Sequence, residues 1–244
     1  MPVKTDFLIA PRGRTIPPAP RLCHTPGVPA SKRRPSPAFV RSVLETLEHT
    51  YPNAHCELVY SNALELLVAT ILSAQCTDVR VNQVTRVLFQ RCKTARDYAQ
   101  IPLEELEQLI QSTGFFRSKA SHLKGCALRL LERHQGEVPK TLAELTQLPG
   151  VGRKTANVVL GEVFHAPEGI VVDTHVKRLS QRLGLSAHTT PEKIEQDLLQ
   201  LVPAPLWHQI SHWLIWHGRR RCVARKPDCA HCELRTLCPS APPS

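Results

Sequence analysis

The chain has 244 residues, 42% of them hydrophobic, with 31 Lys and Arg against 21 Asp and Glu for a formal charge of +10. That length gives one large domain or two modest ones sharing a core, and the positive balance points to a polyanionic partner, DNA or RNA being the usual one. No apolar run approaches the roughly 20 residues that span a bilayer, and Phe7-Leu8-Ile9-Ala10 falls short of a signal-peptide core of about 7–15 residues, so an intracellular protein without membrane contact is expected, cytoplasmic and nucleoid-associated if bacterial.

Residues 1–36 read as a basic, proline-rich extension. Lys4, Arg12, Arg14, Arg21, Lys32, Arg33 and Arg34 face only Asp6, and repeated prolines stop any helix or strand from running far. Such an arm either adds nonspecific affinity for DNA or serves as a solvated linker. From Pro37 the pattern is helical, with Val40, Val43, Leu44 and Leu47 forming one stripe. Residues 64–75 predict an apolar helix buried on most sides. Asp78 is the expected N-cap of the next, which carries Val81, Val84 and Leu88. Residues 103–110 and 118–134 predict two more. Thr141 with Glu144 forms a capping-box pattern. Further helices are expected over 153–164, 174–183, 191–201, started by Pro191, and 206–217. There is no period-2 strand and no fixed repeat, so the expected fold class is all-α with short connections.

Leu148-Pro149-Gly150-Val151-Gly152-Arg153-Lys154-Thr155-Ala156 lies between two of these helices. Pro149 ends the first, and Gly150 and Gly152 permit a tight turn that leaves backbone N–H groups uncovered where the next helix begins. This helix-hairpin-helix pattern can cradle a DNA phosphate without reading sequence; the plain alternative is a glycine-rich corner. Arg153 and Lys154 open the helix. Lys154 can contact phosphate, or act as a nucleophile if the helix N-terminus and neighbouring Arg153 favour its neutral amine. Nineteen residues later, Val172-Asp173-Thr174-His175 brings a carboxylate to the start of another helix. Asp173 either caps that helix or supports positive charge growing on a sugar and moves a proton from the lysine. His175 reads as a structural or backbone-contacting residue.

Cys23, Cys56, Cys76, Cys92 and Cys126 are scattered, whereas Cys222, Cys229, Cys232 and Cys238 crowd seventeen positions. Four thiols so close in a protein expected inside the cell call for a metal. Zinc is the general default, but a cubane iron–sulfur cluster also takes four thiolates and tolerates one short pair flanked by wider spacings. Arg225 and Lys226, on the same loop, could grip phosphate.

Leu72-Ser73-Ala74-Gln75-Cys76-Thr77-Asp78, the hairpin through Asn157, Val172-Asp173-Thr174-His175 and the cysteine array, in this order, resemble the endonuclease III family within the helix-hairpin-helix DNA glycosylase superfamily. The resemblance runs from about Pro37 to Cys238. It implies two helical domains with a DNA-facing cleft between them: a six-helix domain over 56–166, and a discontinuous domain of 37–55 plus 167–238, followed by a tail of 239–244. It implies a [4Fe-4S] cluster on Cys222, Cys229, Cys232 and Cys238, which in the family is not the agent of glycosidic cleavage. The implied activity is bifunctional: an oxidised pyrimidine is flipped out of duplex DNA, Lys154 displaces it from C1′, and β-elimination through a Schiff base cuts the 3′ side. Asp173 supports these steps, and a monomer on double-stranded DNA is expected.

By the same resemblance Gln75 fills the gap left by the flipped nucleotide, and Phe115 matches a second wedge position where an aliphatic residue is more familiar. The stretch from Lys154 to Asp173 is about one residue longer than the family form, and the N-terminal arm has no firm counterpart. Two rivals remain: a monofunctional mismatch glycosylase, against which Lys154 and the chain's end soon after Cys238 argue, and a non-catalytic DNA-binding module.

Overall fold

The computed structural model describes residues 34–243 and contains only helices and connecting segments among them. The expectation for the N-terminal arm lies outside these residues, except that Arg34 donates to the Gln200 carbonyl at 2.7 Å. Helix α1 (Pro37–Thr50) begins at Ser36, whose side chain accepts from Phe39 N, with Pro37 at the first position. Its stripe of Val40, Val43, Leu44 and Leu47 is buried. Helix α2 (Ala63–Leu72) is capped by Asn62, and every residue from 66 to 72 is buried. It stops three residues short of Gln75, because the chain turns left-handed there, with φ 52°.

Helix α3 (Asp78–Arg91) corrects a cap: Thr77, not Asp78, is the N-cap, accepting from Arg80 N at 3.3 Å. This frees the Asp78 carboxylate to receive Arg219 Nη2 at 2.7 Å. Helix α4 (Ala95–Gln100) was not foreseen; Thr94 and Asp97 cap each other's backbone N–H to start it. Helix α5 (Leu103–Ile110) runs into a 3-10 turn, Gln111–Thr113, and then α6 (Phe116–His134), which starts two residues before its expected position. The short α7 (Leu142–Leu145) uses the Thr141–Glu144 pairing anticipated from sequence. Helices α8 (Arg153–Phe164), α9 (Thr174–Arg182), α10 (Pro191–Leu201) and α11 (Trp207–Arg220) follow.

The apolar faces form two clusters. The first, from Leu58 to Leu160, is built around α2, with α4 and α5 against α6, and α2 against α6 and α8. The second joins Val40–Ala54 to Ile170–Leu234, with α11 packed on both α1 and α9. Burying one Leu or Ile side chain contributes about 1.5–3 kcal/mol, so each stripe helix is held mainly by its covered face. Arg219, near the end of α11, joins the clusters by pairing with Glu57 and with Asp78 of α3.

Candidate active site and DNA-binding elements

The hairpin between α7 and α8 is set by close packing on α6. A Cβ at Gly150, where φ is 78°, would lie 2.8 Å from His122 Cβ, and Pro149 sits 3.3 Å from where Gly125 would carry one. Glycine at 150 is therefore required by both backbone and space. Gly152 meets nothing within 4 Å; it is the N-cap of α8 and supplies no capping side chain. The first N–H groups of α8 are thus open to an anion.

Lys154 is exposed on the first turn of α8. Arg153 beside it is already engaged: its guanidinium meets Glu195 of α10 at 2.9–3.2 Å and the Glu168 carbonyl at 3.3 Å. A phosphate contact by Arg153 would have to compete with this pair, whose carboxylate is almost fully buried. The same contacts fix the loop after α8. Gly169 lies so close to Glu195, Asn157 and Arg153 that a side chain would collide with all three, and Glu168 Oε1 accepts from Leu142 N at 2.8 Å.

Asp173 is the N-cap of α9, its Oδ1 accepting from Val176 N at 2.8 Å. It is half-buried, and the positive charge of Arg219 lies close by. His175 packs against Gly218 of α11, where a Cβ would lie 2.9 Å from its Nδ1, and that nitrogen is 3.2 Å from Arg178 Nη2. Burial, with Arg178 and Arg219 nearby, pushes the His175 imidazole below its ordinary range against the opposing pull of Asp173. Its surroundings are those of a helix-packing residue.

Gln75 and Phe115 share a backbone signature. Both are exposed and both adopt left-handed φ, 52° and 49°. Phe115 is 67% exposed, which excludes the core position that its residue type allowed. Side chains other than Gly, Asn and Asp rarely take this conformation, and such strain clusters at ligand-contacting sites. Sequence reasoning missed what holds the two loops. Lys119 of α6 is buried, and its ammonium donates to the carbonyls of Leu72 and Thr113, both at 2.8 Å. Leu72 ends α2 just before Gln75, and Thr113 precedes Gly114-Phe115. One cation therefore ties the segments that carry both residues.

Cys222, Cys229, Cys232 and Cys238 are free, partly buried thiols around a cavity of about 1030 Å³ lined also by Arg182, His217 and Arg235. Arg182 of α9 donates to Cys222 Sγ at 3.1 Å and to the carbonyls of Val223 and Ala224. Arg178, one turn earlier, donates to the carbonyls of Gly218 and Cys222. The i, i+4 spacing of these arginines was a visible signal that sequence reading passed over. Arg225 and Lys226 stand exposed on the loop, and Lys226 also has left-handed φ, 56°.

Residues 68–204 match the family described as HhH-GPD superfamily base excision DNA repair protein. The matched span holds the hairpin, Lys154 and Asp173, and it sets the class: a helix-hairpin-helix protein of base excision repair. Endonuclease III of Synechocystis sp. is 54% identical over 199 residues, covering 82% of this chain and 91% of that protein. Endonuclease III of Escherichia coli K12 is 43% identical over 197 residues, covering 80% and 92%. A solved structure described as a trapped endonuclease III–DNA covalent intermediate superposes with a TM-score of 0.81 at 44% identity, over 84% of this chain and 97% of that one. The chain belongs to the endonuclease III family.

Proposed function

We propose that this chain is a bifunctional DNA glycosylase and AP lyase of base excision repair, which removes oxidised pyrimidines from duplex DNA and cuts 3′ to the resulting abasic site. The observation that carries this reading is Lys154, exposed on the first turn of a helix whose N–H groups open toward an anion, in a chain so similar to a protein trapped covalently on DNA. In this reading the hairpin N–H groups hold a backbone phosphate, while Gln75 fills the gap left by the extruded nucleotide and Phe115 stacks as a second wedge. Lys154 Nζ forms a bond to C1′ as the bond to the base breaks, and the electron pair leaves with the base. Asp173 offsets the positive charge growing on the sugar and takes up a proton from the amine. The aminal so formed opens as C1′=N forms and the C1′–O4′ bond breaks, O4′ taking up a proton; the Schiff base then acidifies the adjacent C2′ proton, and its loss expels the 3′ phosphate.

The two domains of this reading are residues 56–166 and residues 37–55 with 167–238, closing as a monomer on double-stranded DNA inside the cell. Arg225 and Lys226 add phosphate contacts from the cysteine loop. The four cysteines fit an iron–sulfur cubane better than a single zinc. No three of their sulfurs lie within 4.8 Å of one another, whereas thiolates on one tetrahedral zinc stand about 3.8 Å apart. Cys222, Cys229, Cys232 and Cys238 would hold a [4Fe-4S] cluster, which when bound supplies iron–thiolate bonds that tie the C-terminal loop. Arg182 and His217, 3.5 Å from Cys232 Sγ, hydrogen-bond its sulfurs.

The test is a panel of duplexes, each with one lesion. Release of oxidised pyrimidines with a β-elimination end on the cut strand is the expected result. Base release without any cutting would assign a monofunctional glycosylase, and binding without either would assign a DNA-binding module.

A further inference from the structure

Three side chains that the repair reaction does not use converge where the two apolar clusters meet. Glu162 projects from α8, and His208 and His212 project from α11, four residues apart and so on one face of that helix. Glu162 Oε1 lies 2.8 Å from His212 Nε2 and 3.5 Å from His208 Nε2. The imidazoles meet edge to face with centroids 4.6 Å apart, and one ligand atom from each of the three residues lies within 4.8 Å of the other two.

Two further features point to a ligand. The Glu162 side chain is only 10% exposed, and its Oε1 has no neighbour besides the ion-pairing imidazoles of His212 and His208 that would compensate its burial. A buried carboxylate oxygen left this way is costly unless a cation reaches it. Its other oxygen, Oε2, accepts from Tyr60 OH at 3.1 Å, which fixes the plane of the carboxylate as a supporting residue does around a metal. Gly161 lets the His208 ring approach α8: a Cβ there would lie 2.2 Å from His208 Nδ1.

We propose that Glu162, His208 and His212 form a divalent metal site of the zinc type, bridging the two halves of the molecule. Two imidazoles and one carboxylate suit zinc and its neighbours, whereas calcium and magnesium require mostly oxygen. Ligand atoms on a tetrahedral zinc lie about 3.3 Å apart, and the contacts at 2.8 and 3.5 Å bracket that spacing. Three protein ligands leave one position for water. Tyr60 and the neighbours of Glu162 pack in the first cluster, while Ile210, Trp213 and Leu214 of α11 pack in the second, so the ion bridges them. The site is independent of the glycosylase reading.

The experiment uses the full-length, cluster-loaded protein, stripped of loose metal with EDTA and dialysed against zinc, with zinc and iron counted per chain. One equivalent of zinc is expected without loss of iron, together with a higher thermal midpoint in zinc. His208→Gln and Glu162→Gln should lose the zinc and the thermal gain while keeping iron. His208 is partly exposed, so its replacement tests binding in a folded chain. No zinc on the parent protein, zinc gained only as iron is lost, or equal zinc on the folded variants would overturn the site.

Discussion

Asp173 has one observed role and one proposed role, and one substitution can separate them. Its carboxylate caps α9 through Val176 N, and the proposed chemistry asks the same group to carry negative charge. Asparagine caps a helix about as well as aspartate but brings no charge. Asp173→Asn should therefore leave thermal stability near that of the parent and depress base removal at least tenfold with little change in DNA affinity. Asp173→Ala should in addition lose about 1 kcal/mol of stability. Base removal unchanged in Asp173→Asn would make Asp173 only a cap. Phe115 makes the opposite separation. It is exposed and left-handed, so Phe115→Gly gives up little burial and relieves strain. Its stability should stay within about 1 kcal/mol of the parent in urea titrations while lesion excision falls. Unchanged excision would remove Phe115 from the DNA contacts.

At the scale of elements, the long stripes were readable because one face of each helix is covered. Val40, Val43, Leu44 and Leu47 show the period directly, and α8 and α10 have the expected bounds. Helix α4 was missed because six residues are too few to display a period, although Thr94 and Asp97 carried its capping signal. The helix ends next to Gln75 and Phe115 shifted for a different reason. Gln75 and Phe115 leave helical geometry through positive φ, which no propensity forecasts for these residue types. Lys119 sets the relation of those ends through two carbonyls at positions 72 and 113 that only the tertiary fold brings together. Lys119→Met should leave both carbonyls buried and unpaired and cost about 3 kcal/mol. In the variant that remains folded, lesion excision should fall more than affinity for undamaged duplex, because the loops of Gln75 and Phe115, which the proposed mechanism places in the duplex, lose their common tie. Parallel losses would leave Lys119 a purely structural residue.

Across the whole molecule, one helix connects the parts that sequence could only name separately. Helix α9 begins at Asp173, packs along α11, and presents Arg178 and Arg182 to the cysteine loop. Motif spacing made the hairpin, Lys154, Asp173 and the four cysteines legible, since each is local in sequence. Pairs formed over long separations stayed hidden, among them Arg153 with Glu195 and Glu162 with the α11 histidines. The proposed reaction turns on one amine reaching the sugar of an extruded nucleotide. Borohydride reduction during reaction with abasic-site DNA, followed by peptide mass spectrometry, identifies that amine. The expected adduct is on Lys154 and is absent from Lys154→Ala. An adduct on another residue, or none on the intact protein, would contradict the mechanism.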